Sequence, residues 1–84
     1  MPRMPNPFPS LKARAMLRLL RGELGYEVAG QSGSHRRLVA EGRPSLTFAF
    51  HDDRSLTPVE VRDILVKQVG LSLDEALKVV RGGR

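Results

Sequence analysis

The stretch AGQSGSHRRLVAEG, residues 29–42, decides the fold, because it holds a turn, a strand and the start of a second turn. Residues 30–34 are Gly, Gln and Ser, which accept turn geometry readily, and residues 35–41 then read as a β-strand. Glu41-Gly42-Arg43-Pro44 breaks the chain again, and Leu46, Phe48 and Phe50 alternate with Thr47 and Ala49 in a further strand over 46–50. Upstream, Tyr26 and Val28 alternate with Glu27 and Ala29, so a strand over 26–29 precedes the quoted turn. Three short consecutive strands joined by turns predict an antiparallel meander.

On either side of the meander the apolar period changes from two to that of a helix. Ala13, Met16, Leu17, Leu20 and Leu24 mark one face of a first helix, with Ser10 as the expected N-cap and Gly25 as the stop. Arg14, Arg18 and Arg21 form a basic stripe on its other side. Leu56-Thr57-Pro58-Val59-Glu60 carries several helix-start devices together. Thr57 is the N-cap, Pro58 takes the first helical position, Glu60 closes a capping box, and Leu56 is placed to staple against Val61. Val61, Ile64 and Leu65 give this second helix its apolar face, and Gly70 ends it. Ser72 and Glu75 repeat the capping-box spacing, so a short third helix runs to about residue 81. The expected class is therefore α+β in the order α-β-β-β-α. A three-stranded antiparallel sheet is backed by two helices on one face, with an extra short C-terminal helix. Residues 10–81 make a single domain, residues 1–9, broken by Pro2, Pro5, Pro7 and Pro9, a flexible lead, and residues 82–84 a frayed tail.

Strand alternation sorts the side chains. Tyr26, Val28, Leu38, Ala40, Leu46, Phe48 and Phe50 are expected to face the helices. Glu27, Ala29, Gln31, His35, Arg37, Val39, Thr47, Ala49 and His51 are left on an open, polar and basic face. If Ala40 pairs with Leu46, then Leu38 meets Phe48 and His35 comes opposite His51; a shift by two residues or a bulge separates the two histidines.

The 84 residues carry 14 Lys and Arg against 9 Asp and Glu, a formal net charge of +5, which suits phosphate-rich polymers or acidic protein surfaces as partners. Absence of cysteine excludes thiol nucleophiles, disulfides and Cys-rich zinc sites. No apolar run of the roughly 18 residues needed to span a membrane occurs, nor a signal-peptide pattern, so a cytoplasmic location is the default expectation. HExxH, GxxxxGK[ST] and GxSxG patterns are also missing, and Ser32 and Ser34 lack an adjacent acid to orient a hydrolase triad.

What remains is an imidazole beside guanidinium groups in Gly33-Ser34-His35-Arg36-Arg37. A neutral histidine can take the proton of a ribose 2′-hydroxyl whose oxygen attacks the neighbouring phosphate, while arginines offset the charge growing on the phosphate oxygens. Such a reaction asks for no metal and no other cofactor. The Gly33-Ser34 turn offers backbone N–H groups to a phosphate.

Several segments, LRGELGYEV over residues 20–28, Gly33-Ser34-His35, LTFAFH over 46–51 and VRDILVKQVGLSLDEAL over 61–77, together resemble the HicA-type toxins of HicA/HicB toxin–antitoxin systems. The resemblance implies a fold like that of double-stranded RNA-binding domains and a metal-independent endoribonuclease, an mRNA interferase, that acts through the histidine of the Gly-Ser-His triplet. On this chain the catalytic role falls on His35, with Gly33, Ser34, Arg36, Arg37 and His51 as the RNA-contacting set. The implied partners are an mRNA substrate and a HicB-type antitoxin, with no membrane and no small-molecule cofactor. Members often carry Pro-His or His-His after the third strand, whereas this chain reads Phe50-His51-Asp52-Asp53. Two other functions suit the same residues: a noncatalytic double-stranded-RNA-binding module, and a small adaptor that binds only protein.

Overall fold

A computed structural model describes residues 6–82. The element order is β1 (Leu11–Lys12), α1 (Ala13–Leu24), β2 (Glu27–Ser32), β3 (His35–Ala40), β4 (Arg43–Phe48), β5 (Ser55–Leu56), α2 (Pro58–Asp63), a π-helical turn (Ile64–Gln68) and α3 (Leu73–Gly82). The architecture is α+β, with an antiparallel sheet ordered β2-β3-β4 behind which the helices pack, and a C-terminal helix added. No helix among the described residues is long and apolar enough to cross a membrane.

The core forms where the helical stripes meet the inner face of the sheet. Met16, Leu20 and Leu24 of α1, Leu38 of β3, Leu46 and Phe48 of β4, and Val61 of α2 are all buried in one cluster with Tyr26 and Val80. The capping box at α2 is complete: Glu60 N donates to Thr57 Oγ1 at 3.1 Å and Thr57 N to Glu60 Oε1 at 3.0 Å. The hydrogen bond from the Thr57 backbone, together with that from Arg54, holds the Glu60 carboxyl below its ordinary pKa against a smaller opposing effect of desolvation. Leu56 and Val61 flank this cap and are both fully buried, as a hydrophobic staple requires. Ser72 caps α3 in the same way through Glu75 N, at 3.1 Å. The second helix does not run to Gly70 as a plain α-helix. Its last turn widens, with Val69 N donating to Ile64 O at 3.0 Å, and this brings Val69 round to the side of Ile64, both of them buried.

Four sequence expectations need correction. Ser10 does not cap α1; Leu11 and Lys12 pair antiparallel with Leu56 and Ser55, so the helix begins at Ala13 behind Lys12, and the Ser10 hydroxyl donates instead to Leu56 O at 2.7 Å. The first strand extends to Ser32 with a bulge between Val28 and Gly30. That extra residue reverses the alternation, so Gln31 pairs with Arg36 and lies on the helix side, while Ser32 joins His35 on the open face. Val28 shares the face of its partner Leu38 but stays 39% exposed, because β2 is the outermost strand. Between β3 and β4 the register is shifted by two from the expected one: Leu38 meets Leu46 and Arg36 meets Phe48, with a second bulge between Leu38 and Ala40. The parity of the faces survives a two-residue shift, but β4 ends at Phe48, and Phe50 lies beyond it, only partly buried. Of the proline-broken residues 1–9, residues 1–5 lie outside the described residues, and Phe8 is buried in the core.

Tyr26 bridges the sheet to its far turn. Its ring is buried and its hydroxyl donates to Pro44 O at 2.8 Å. Burial raises the phenol pKa above its ordinary value of 10.0, an effect only partly offset by the charge of Arg43. The folded state therefore prefers the neutral phenol: this stabilisation is full below pH 10.0 and is lost as the pH rises from there through the higher folded value. Tyr26→Phe is expected to cost about 1 kcal/mol in urea unfolding at neutral pH. It should also remove the Tyr26 share of the alkaline loss of stability; an unchanged alkaline slope in the variant contradicts that assignment.

Candidate functional site

The Gly33-Ser34 pair is the whole of the β2–β3 connection, since Ser32 pairs directly with His35. Gly33 has φ +60° at the first central position and Ser34 does not take a positive φ, the pattern of a type II′ hairpin turn. The triplet thus has a structural cause: glycine permits the turn, and the turn delivers His35 as the first residue of β3, exposed to solvent. Arg37 is also exposed, two residues on and so on the same face about 6.6 Å along the strand. It stands opposite Thr47.

Arg36 points the other way. It pairs across the sheet with Phe48 and leaves only 16% of its side chain exposed, and its Nη2 meets Asp52 Oδ1 at 2.9 Å. Its Nη1 is buried with no hydrogen-bond partner among the described residues. Arg36 therefore has a structural task that Arg37 lacks, because a desolvated guanidinium needs its carboxylate.

His51 is not the cross-strand partner of His35. The ladder puts Phe48 opposite Arg36 and stops there, and His51 follows in the turn toward β5, where its carbonyl accepts from Arg54 N at 3.0 Å. It lines a hollow of about 380 Å³ with Gly33, Ser34, Arg36, Phe50, Asp52 and Asp53, and His35 is not among the lining residues. The predicted residues thus form two groups around one turn: His35 and Arg37 on the open face, and Arg36 with His51 in the hollow.

The segment carrying His51 is held on several sides. Ala13 N donates to Arg54 O at 2.8 Å and Arg14 N to Asp52 O at 3.2 Å, so this loop supplies carbonyls to the first amides of α1, where Lys12 gives no side-chain cap. Lys12 Nζ reaches Asp53 O at 3.0 Å, and the Arg14 guanidinium pairs with the Asp53 carboxylate. Phe50 stacks edge-on against Phe48 at 5.2 Å and lies under Arg54, 4.7 Å from its centroid. Sequence reasoning missed Asp52; the available signal was that alternation turns Arg36 toward the core face, where a charge requires a partner.

The sequence pattern of the family described as HicA toxin of bacterial toxin–antitoxin matches residues 13–71 of the 84. The chain belongs to the HicA toxin family. Comparisons with curated proteins and with solved structures gave no match. The HicA match begins at the first residue of α1 and takes in the whole sheet, the capped second helix and the π-helical turn. As a HicA toxin, this chain is one component of a toxin–antitoxin system and has an antitoxin as its counterpart.

The two adjacent arginines should respond differently to truncation. Arg36→Ala is expected to lower unfolding stability by about 1–2 kcal/mol, through lost packing and a charge-assisted bond weakened by the half-exposed Asp52. Arg37→Ala should stay within about 0.5 kcal/mol. Guanidinium chloride titrations compare them directly, and equal stabilities would refute the inward placement of Arg36.

Proposed function

We propose that this toxin is a metal-independent endoribonuclease that cleaves mRNA in the cytoplasm and is neutralised by a HicB-type antitoxin. His35 is the general base. Its neutral imidazole takes the proton from a ribose 2′-hydroxyl, the 2′-oxygen forms a bond to the adjacent phosphorus, and the bond from phosphorus to the 5′-oxygen breaks. The departing oxygen takes a proton from water, which leaves a 2′,3′-cyclic phosphate and a 5′-hydroxyl. Arg37, on the same face, holds the phosphate and offsets the charge that grows on its oxygens. The Gly33-Ser34 turn contributes backbone N–H groups, and Arg36 and His51 contact the flanking strand from the neighbouring hollow.

The observation that supports this reading most is the exposed His35 at the exit of a two-residue turn, with an arginine on the same face that makes no salt bridge among the described residues, in a chain of a toxin family. An exposed imidazole is open to a polymer substrate. A noncatalytic double-stranded-RNA-binding module would use the same sheet-and-helix arrangement to read shape. The His35 substitution separates the two.

Expression of the wild-type chain should arrest bacterial growth, and the purified protein should cleave RNA in the presence of EDTA. His35→Ala should fold, bind RNA within a fewfold of wild type, and lose both toxicity and cleavage. Arg37→Ala should reduce cleavage about tenfold or more with little effect on stability. Undiminished cleavage by His35→Ala would end the assignment of the base, and RNA binding without cleavage by the wild type would favour the binding module.

A further inference from the structure

The arginine stripe of α1 has no part in the chemistry just described, and it borders a hollow of its own. A groove of about 570 Å³ runs between α1 and the entry to the sheet, lined by Arg14, Leu17, Arg18, Arg21, Tyr26 and Glu27, with glycines at its end. Arg14 is engaged by Asp53, but Arg18 and Arg21 make no salt bridge among the described residues. The groove ends at the beginning of β2, the outermost strand, every residue of which is exposed. An outer strand presents unpaired backbone N–H and C=O groups. Val28, next to the groove in sequence, adds an exposed apolar side chain on the same face of the sheet as Leu38.

We propose that this groove docks an extended, acidic segment of a protein partner, whose backbone meets the free edge of β2 at Glu27 and Val28 and whose carboxylates meet Arg18 and Arg21. Three properties match. Arg18 and Arg21 are offset by about 4.5 Å along α1, with Cβ atoms about 5–6 Å apart, and alternate side chains of an extended chain lie about 6.6 Å apart, a difference that the long arginine side chains span. Guanidinium groups bind carboxylates through two parallel hydrogen bonds, which fixes geometry as well as charge. The molecule carries a net charge of +5, so an acidic segment is also drawn in at long range. An RNA backbone fits less well, because phosphates carry no N–H donors to pair with the carbonyls of a strand edge. Neither His35 nor Arg37 lines the groove, so changes to Arg18 and Arg21 leave the proposed base and its arginine in place.

The test uses the full chain and two blocked ten-residue peptides of equal composition, one alternating Glu with Val and one with all Glu in a single block. Calorimetry should show the alternating peptide binding wild type at least fivefold more tightly than the block peptide. Arg18→Glu/Arg21→Glu should weaken it tenfold or more and Arg18→Gln/Arg21→Gln about threefold. Lys67→Glu/Lys78→Glu, with the same change in net charge, should leave it within twofold. Amide resonances of Glu27 and Val28 should shift on titration with the alternating peptide. Equal binding of the two peptides would overturn the extended geometry. An equal loss in the lysine control would reduce the effect to net charge. If affinity for a short single-stranded RNA falls with the arginine variants while peptide affinity does not, the stripe belongs to RNA and the proposal fails. None of these readouts depends on nuclease activity, so failure here is separate from failure of the His35 assignment.

Discussion

The arrangement depends on where the first amides of α1 find their acceptors. A helix begins with N–H groups that its own turns do not satisfy, and Lys12 offers no capping oxygen. The carbonyls of Asp52 and Arg54 fill that role from a segment some forty residues away in sequence, at the exit of the sheet. One loop is thereby bound to α1 by its backbone, to β3 through the Arg36–Asp52 pair, and to β1 through the ladder that continues it at Ser55 and Leu56. The same loop carries His51. Its place beside the Gly33-Ser34 turn follows from these ties rather than from the strand register.

The sheet separates two kinds of basic residue that are adjacent in the chain. Arg36, turned inward, is desolvated and needs Asp52; its contribution is to hold the loop against the hairpin end. Arg37 and His35, turned outward, are both exposed. A small domain has few ways to place a reactive imidazole, and the outer face of a sheet next to a tight turn is one that costs the core nothing. The groove of α1 gathers Arg18 and Arg21, apart from His35 and Arg37.

Much of the fold was legible locally. The staple and capping box around Thr57, the Ser72 cap, the stop at Gly25 with φ +75°, and the apolar face of the second helix stand as the residue pattern indicates, while on the first helix Leu19 is buried and Leu17 only partly so. His35 also emerges on the open face as alternation requires, and Arg36 on the inner one. Ser10 shows how such a signal fails: it is a good capping residue, but the pairing of Leu11 and Lys12 with a distant strand takes the backbone past it before the helix can start.

The sequence by itself determined the three helices and the three strands of the main sheet, their order, the parity of the faces of β3 and β4, and a turn just before His35. These rest on interactions that close within four residues or on an alternation of period two. Tertiary structure alone decided the register between β3 and β4, the two bulges, the reversal of Gln31, and the company that His51 keeps. A two-residue slip keeps every apolar side chain on the core face, so the residue pattern is blind to it. The choice is made by the packing of Phe48 against its neighbours, by the Arg36–Asp52 pair and by the need of α1 for acceptors, contacts between segments far apart in the chain that exist only once the helices and the sheet have met.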